Sequence, residues 1–178
     1  MNDLTQKKIA VIGSVGVGKT TLINRLSNND TINTDVVSSV DIGKEMTTVG
    51  IDYGQIYVDD EINLALYGVP GQRKYSLVWD FVKEGLWGLV ILVKDNDRHS
   101  IEEMDYLLDY FSVKDDMPCV IGVTHFNNKV TNELTLVHEC LRKHQLNLPV
   151  YTVDTRIKED ALMIMNTLIA LAEEVSHV

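Results

Sequence analysis

Gly13-Ser14-Val15-Gly16-Val17-Gly18-Lys19-Thr20, followed by Thr21, decides the fold of this chain. The run fits G-x-x-x-x-G-K-[ST], a phosphate-binding loop, and the residues on either side give the match its weight. Lys8-Ile9-Ala10-Val11-Ile12 reads as a short apolar strand running into Gly13. Thr21-Leu22-Ile23-Asn24-Arg25-Leu26 carries apolar residues at helical spacing. Strand, glycine turn and helix N-terminus in that order form an anion site. Free backbone N–H groups and the helix dipole both favour a polyphosphate there. Lys19 is expected to reach the β- and γ-phosphates and the Thr20 hydroxyl to ligate Mg²⁺.

Length and charge bound what surrounds this loop. The 178 residues suit one domain, 1–178, with a sizeable core. A formal net charge of −10 argues against nucleic acid as the main partner, whereas one lysine and a glycine loop suffice for a nucleotide. Met1-Asn2-Asp3-Leu4 begins no secretory signal, Val175-Ser176-His177-Val178 is no prenylation box, and no apolar stretch is long enough to span a bilayer. A cytoplasmic protein is expected. Cys119 and Cys140 lie apart and read as buried or idle thiols. No zinc cluster is apparent, and His99, His138, His144 and His177 have no spacing that points to metal or catalysis.

Beyond the first helix, 28–43 is polar and irregular, a connection long enough to be functional. The stretches 49–58 and 62–67 alternate as two strands, with Asp59-Asp60-Glu61 as the hairpin turn. Then come a helix over 75–84, a buried-type strand over 88–93, and a helix through Phe111 that Ser100 and Glu103 introduce as a capping box. A strand over 118–123, a helix over 131–144, a strand over 149–153 and an amphipathic helix over 159–174 close the chain. That last helix is apolar at Leu162, Met165, Leu168, Ile169 and Ala172. Such alternation predicts an α/β fold with a mostly parallel six-stranded sheet, one antiparallel hairpin and helices on both faces. Ligands bind at the carboxyl ends of strands in these sheets.

Gly68-Val69-Pro70-Gly71-Gln72, Thr47-Thr48-Val49-Gly50-Ile51-Asp52 and the loop at Gly13 together resemble the Ras-like small GTPases. Among these, the chain is similar to prokaryotic MglA-type and signal-recognition-particle-receptor-β-like members. The resemblance implies a P-loop NTPase domain of three α/β/α layers that binds GTP or GDP with Mg²⁺. It assigns phosphate contacts to Gly13, Ser14, Val15, Gly16, Val17, Gly18, Lys19, Thr20, Thr21 and Gly71. Metal ligation falls to Thr20 and Thr48, with Thr47 a rival for the second place. Thr48 also senses the γ-phosphate, so that 28–48 orders and disorders, and Gln72 orients the attacking water. Base recognition falls to Thr124, His125, Asn127, Asp154, Thr155 and Arg156.

The chain departs from that family at several of these places. Gly68 stands where an acid holds a Mg²⁺-bound water, which implies weaker Mg²⁺ dependence unless Asp41 or Asp52 reaches over. Val15 crowds the γ-phosphate and the path of an incoming arginine, which implies slow hydrolysis. Arg73 reads as a solvated switch arginine, with an internal arginine finger as the alternative. Asn127 replaces the carboxylate that accepts both guanine donors, leaving about 1–3 kcal/mol of mismatch. Leu77, Val78, Trp79 and Phe81 cannot all face inward from one helix, and Trp79 is the first candidate for an exposed anchor.

The expected function is a GTP/GDP switch with slow intrinsic hydrolysis, whose two switch regions are read by a roadblock/LC7-type regulator or effector. Two alternatives stand beside it. One is a degenerate, hydrolysis-poor nucleotide-bound scaffold; the other is an ATP-using P-loop kinase or ATPase, for which no acceptor segment is evident.

Overall fold

A computed structural model describes residues 5–27, 50–58, 62–95, 97–126 and 134–176. Six strands form one sheet: β1 (Thr5–Gly13), β2 (Asp52–Tyr57), β3 (Ile62–Pro70), β4 (Leu86–Lys94), β5 (Cys119–Thr124) and β6 (Val150–Thr152). They lie in the order β2-β3-β1-β4-β5-β6. Only β2 and β3 pair antiparallel, with Tyr53 opposite Tyr67. The remaining pairs are parallel. Five helices accompany the described strands: α1 (Lys19–Leu26), α2 (Ser76–Lys83), α3 (Arg98–Tyr110), α4 (Leu134–Lys143) and α5 (Lys158–Ser176). This is the expected α/β architecture.

Strand periodicity divides the core between the two faces of the sheet. Ile9, Val11 and Val90 pack beneath Leu22, Ile23 and Leu26 of α1 and Ile164, Met165 and Leu168 of α5. The intervening Ala10, Ile12, Leu89 and Ile91 point the other way, toward Trp79 of α2, Met104 and Leu107 of α3, and Val137 of α4. With helices on both faces, β4 up to Val93 and the second half of β1, from Ile9 on, are continuous apolar runs, as buried parallel strands are. No helix among the described residues is long and apolar enough to cross a membrane.

Several local expectations are corrected. The α3 helix starts at Arg98, and its cap is Asp97, whose carboxylate accepts the His99 N–H at 3.0 Å. Ser100 therefore does not cap: its hydroxyl accepts the Lys94 N–H at 2.9 Å, inside the protein. Glu103 likewise faces inward. Trp79 is fully buried, and the exposed large apolar residues of its helix are Leu77 and Phe81, at 42% and 57%. In α5 the buried stripe runs through Ala161, Ile164, Met165, Leu168 and Ala172, leaving Leu162 outside. The strand β2 begins three residues later than its alternation implied. The hairpin turn at 59–61, the loop 28–43 and the start of the expected helix at 131–133 lie outside the described residues.

Candidate nucleotide site

At Gly13, β1 pairs with Pro70 on one side and Leu92 on the other, so three strand ends converge under the loop. A side chain at Gly13 would meet the Leu92 carbonyl oxygen at 2.3 Å, which explains the glycine. Gly18 caps α1 at φ 111°, in the left-handed region that glycine adopts freely. Neither a side-chain cap nor a first-turn acid occupies that helix start. Its orphan N–H groups thus remain available to an anion.

Lys19 is pinned by its own loop, donating from Nζ to the Gly13 carbonyl at 2.8 Å and the Ser14 carbonyl at 2.9 Å. An ammonium has three donors, and this arrangement leaves one for a ligand. Burial holds its pKa below the ordinary lysine value, partly offset by Asp52 and Glu103, while the nearby Lys94 lowers it further. A phosphate oxygen would favour the charged form. Ser14 is buried with its hydroxyl 3.4 Å from that of Ser100, Val17 is buried, and Val15 is 65% exposed at the mouth of the loop.

On one side of Thr20 stands a carboxylate from another strand: its hydroxyl donates to Asp52 Oδ2 at 2.6 Å. Asp52 faces Gly68 in the antiparallel pair. A Cβ on Gly68 would sit 2.7 Å from Ile23 Cδ1 and 2.9 Å from Asp52 Cβ, so this position has no room for a side chain of its own. A hydroxyl and a carboxylate form the hard-oxygen donor set that suits Mg²⁺. Of the two aspartates the sequence offered, Asp52 reaches over, and Asp41 lies outside the described residues with Thr47 and Thr48.

The parallel pairing of β1 with β3 runs to Gly13 and Pro70, and its next bond reaches Gly71. The Gly71 N–H, which the resemblance aims at a γ-phosphate, here donates to the Gly13 carbonyl at 2.9 Å. A Cβ at Gly71 would approach Gly13 C at 3.0 Å and Glu103 Oε2 at 3.3 Å. Gln72 is half-buried and lines a cavity of about 400 Å³ with Arg73, His99, Glu102 and Glu103. The Arg73 guanidinium lies over the Tyr106 ring, 4.1 Å from its centroid, so in this structure it stacks on α3. Glu103 is buried, with Oε1 3.4 Å from His99 Nε2 and, among the described residues, no hydrogen-bond partner at Oε2. Desolvation pushes its acid above the ordinary carboxylate range, against the charges of His99 and Lys19.

The base-side residues converge on a second cavity, of about 300 Å³, lined by Thr124, His125, Phe126, Asp154, Thr155 and Arg156 together with Gly16 and Gly18 of the loop. Thr124 donates to the Val17 carbonyl at 2.8 Å, tying the end of β5 to the phosphate loop. That spends the hydroxyl proton, so His125 Nδ1, 2.9 Å away, donates to it. Arg156 grips Asp154 at both oxygens, at 2.9 and 2.6 Å, and those bonds hold the Asp154 carboxyl down to about 2. Thr155 packs against Gly18, where any Cβ would meet its hydroxyl at 2.6 Å. Thr21 also lines this cavity. Asn127 lies outside the described residues.

Two residues at this site were missed by the sequence reading. Glu103 was assigned to a helix cap. Lys94 ends β4 with its Nζ 3.6 Å from where a Gly16 side chain would begin, adding a second ammonium beside the loop. Its only sequence signal was its place at the carboxyl end of a buried strand.

The comparisons agree with this geometry. Residues 8–128 match the family described as 50S ribosome-binding GTPase. The chain is 30% identical over 107 residues to Ras-related protein Rab-11B of Dictyostelium discoideum, covering 58% of this chain and 44% of that protein. It is 24% identical over 149 residues to Ras-related protein Rab-18 of Lymnaea stagnalis, covering 80% and 69% of the two chains. It is also 23% identical over 140 residues to ADP-ribosylation factor K of Dictyostelium discoideum, covering 79% and 68%. The match to the first of these thus spans less than half of that relative's length. The glycine loop between β1 and α1 and the matching family model converge: the chain belongs to the 50S ribosome-binding GTPase family and, with its Rab and Arf relatives, to the Ras-like small GTPases.

Proposed function

We propose that residues 1–178 form a single G domain that binds GTP and GDP with Mg²⁺ and acts as a nucleotide-dependent switch with slow intrinsic hydrolysis. The Thr20–Asp52 pair at the head of α1 carries this reading. It supplies a metal-side carboxylate that Gly68 lacks, so the sequence-based expectation of weak Mg²⁺ dependence is replaced by one of ordinary dependence. Mg²⁺ held there would offset the charge of the phosphates. In the chain itself, Thr20 and Asp52 hold the metal's position, with Thr48 joining them. Lys19 and the α1 N–H groups bind the phosphates. Gln72 orients the attacking water.

The Gly71–Gly13 hydrogen bond gives the switch its off position. A γ-phosphate that captures the Gly71 N–H must take it from the Gly13 carbonyl. The segment 69–83 then shifts together with 28–48, and a partner reads the change. Exposed Leu77 and Phe81 offer that partner an apolar hold. The MglA-type resemblance favours a roadblock/LC7-type protein in this role and a cytoplasmic setting. Titration with GTP, GDP, XTP and ATP, followed by single-turnover hydrolysis, tests the proposal. Tight, Mg²⁺-dependent guanine binding with slow cleavage supports it; preference for ATP overturns it.

A second reading is a nucleotide-bound scaffold that does not turn over. It is favoured by Val15, whose branched side chain stands exposed at the loop mouth. The same single-turnover measurement separates the two.

A further inference from the structure

On the α3–α4 face, away from the nucleotide site, three groups of metal-ligating type from two helices converge. Cys140 and His144 lie one helical turn apart on and just beyond α4, and Asp105 reaches them from α3. Asp105 Oδ1 lies 2.7 Å from His144 Nε2 and 3.6 Å from Cys140 Sγ. The three ligand atoms are all within 4.8 Å of one another. We propose that Cys140, His144 and Asp105 form a binding site for a borderline-soft divalent cation, Zn²⁺ above all.

The donor set argues for that ion. Sulfur and imidazole nitrogen beside one carboxylate oxygen suit Zn²⁺, whereas Mg²⁺ and Ca²⁺ take oxygen ligands. The spacing is also close to what is needed. Tetrahedral Zn²⁺ with ordinary bond lengths separates its ligand atoms by about 3.3–3.6 Å. The Sγ–Oδ1 distance of 3.6 Å already fits. The Nε2–Oδ1 distance of 2.7 Å is that of a hydrogen bond and must open by roughly 0.6 Å, a small turn of the His144 ring.

The neighbours complete the case. Lys143 Nζ bonds both oxygens of Asp105, Oδ2 at 2.7 Å and Oδ1 at 2.9 Å, so an ion at Oδ1 would leave this exposed ammonium on Oδ2 alone. His144 Nδ1 lies 3.4 Å from Asp109 Oδ1, a carboxylate behind the ring that orients metal-binding histidines. A thiolate and two carboxylates would balance Zn²⁺ and the Lys143 ammonium. An open cavity of about 300 Å³, lined by Glu102, Glu139 and Cys140, provides entry and a fourth position for water. On binding, the Sγ–H proton leaves to solvent as the Zn–S bond forms. The imidazole proton moves to the Nδ1 side, facing Asp109, and no electron is transferred.

The test uses the full chain loaded with GDP and excess Mg²⁺, so that the nucleotide's own metal position is filled. Titration with Co²⁺ should give a thiolate-to-cobalt charge-transfer band at one equivalent, and Zn²⁺ should displace it. Cys140→Ser should abolish the band. His144→Ala should weaken Zn²⁺ binding by on the order of 100-fold and Asp109→Asn by about 10-fold. GDP binding by each variant reports that it is folded. A chain that shows no thiolate band, or a band that survives in Cys140→Ser, overturns the proposal. So does equal Zn²⁺ affinity in folded His144→Ala.

Discussion

Asp52 Oδ2 accepts the Thr20 hydroxyl at 2.6 Å from directly across the hairpin from Gly68. The Ras-like resemblance implies an acid at position 68, and the carboxylate that stands beside Thr20 comes from the neighbouring strand. Asp52→Ala should therefore remove most of the Mg²⁺ dependence of nucleotide release. In the unsubstituted protein chelation of Mg²⁺ should speed GDP dissociation by tenfold or more, whereas the variant should release fast with or without it. Stopped-flow release of a fluorescent GDP measures this, and equal chelator sensitivity in both proteins would count against the assignment.

Restoring the absent acid at its usual position should do harm. Gly68→Asp places a side chain 2.7 Å from Ile23 and brings a second carboxylate to Asp52. Overpacking and like-charge repulsion should lower stability by about 1–3 kcal/mol, read from denaturant midpoints. Stability unchanged within error would mean that the strand pair opens more easily than its register implies.

Val15 stands at the loop mouth with most of its surface free. Val15→Gly should speed single-turnover GTP cleavage by about tenfold, or ~1.4 kcal/mol of barrier, by clearing the approach to the γ-phosphate. GDP affinity should change little. A rate that stays the same would assign the slow step to some other residue.

Glu103 predicts a dependence on pH. Its acid is held above the unfolded value by desolvation, so the folded protein binds that proton more tightly than the unfolded chain does. Its contribution to stability is fullest below the unfolded pKa, declines as pH rises through the folded one, and is level above it. Glu103→Gln removes this decline. Near neutral pH the variant should be more stable by about 1 kcal/mol, the scale of an unsatisfied buried group. Near pH 4 the two proteins should match. Parallel stability profiles for both would show that Glu103 is solvated or paired after all.

What could be read from the sequence follows how local each cause is. The phosphate loop was legible because its glycines, lysine and threonine are neighbours in the chain. The sheet was legible because buried parallel strands are continuous apolar runs. Asp52 remained one option of two, since its role depends on strand register with Gly68. Glu103 was misread because Ser100 and Glu103 fit a capping pattern that Asp97, three residues earlier, had already satisfied. Trp79 was misplaced because four large apolar residues surround one short helix, and periodicity alone does not choose among them. Its indole N–H settles the matter, donating to the Pro70 carbonyl at 2.7 Å.

That last bond joins the inner face of α2 to the end of β3. Leu77 and Phe81 lie on the surface, Trp79 between them points inward, and Pro70 is the residue before Gly71. Any protein that grips the outer face of α2 more firmly in one nucleotide state must, by linkage, favour that nucleotide by the same factor. Information through this tryptophan therefore runs both ways. A partner that listens to the bound nucleotide also helps to choose it.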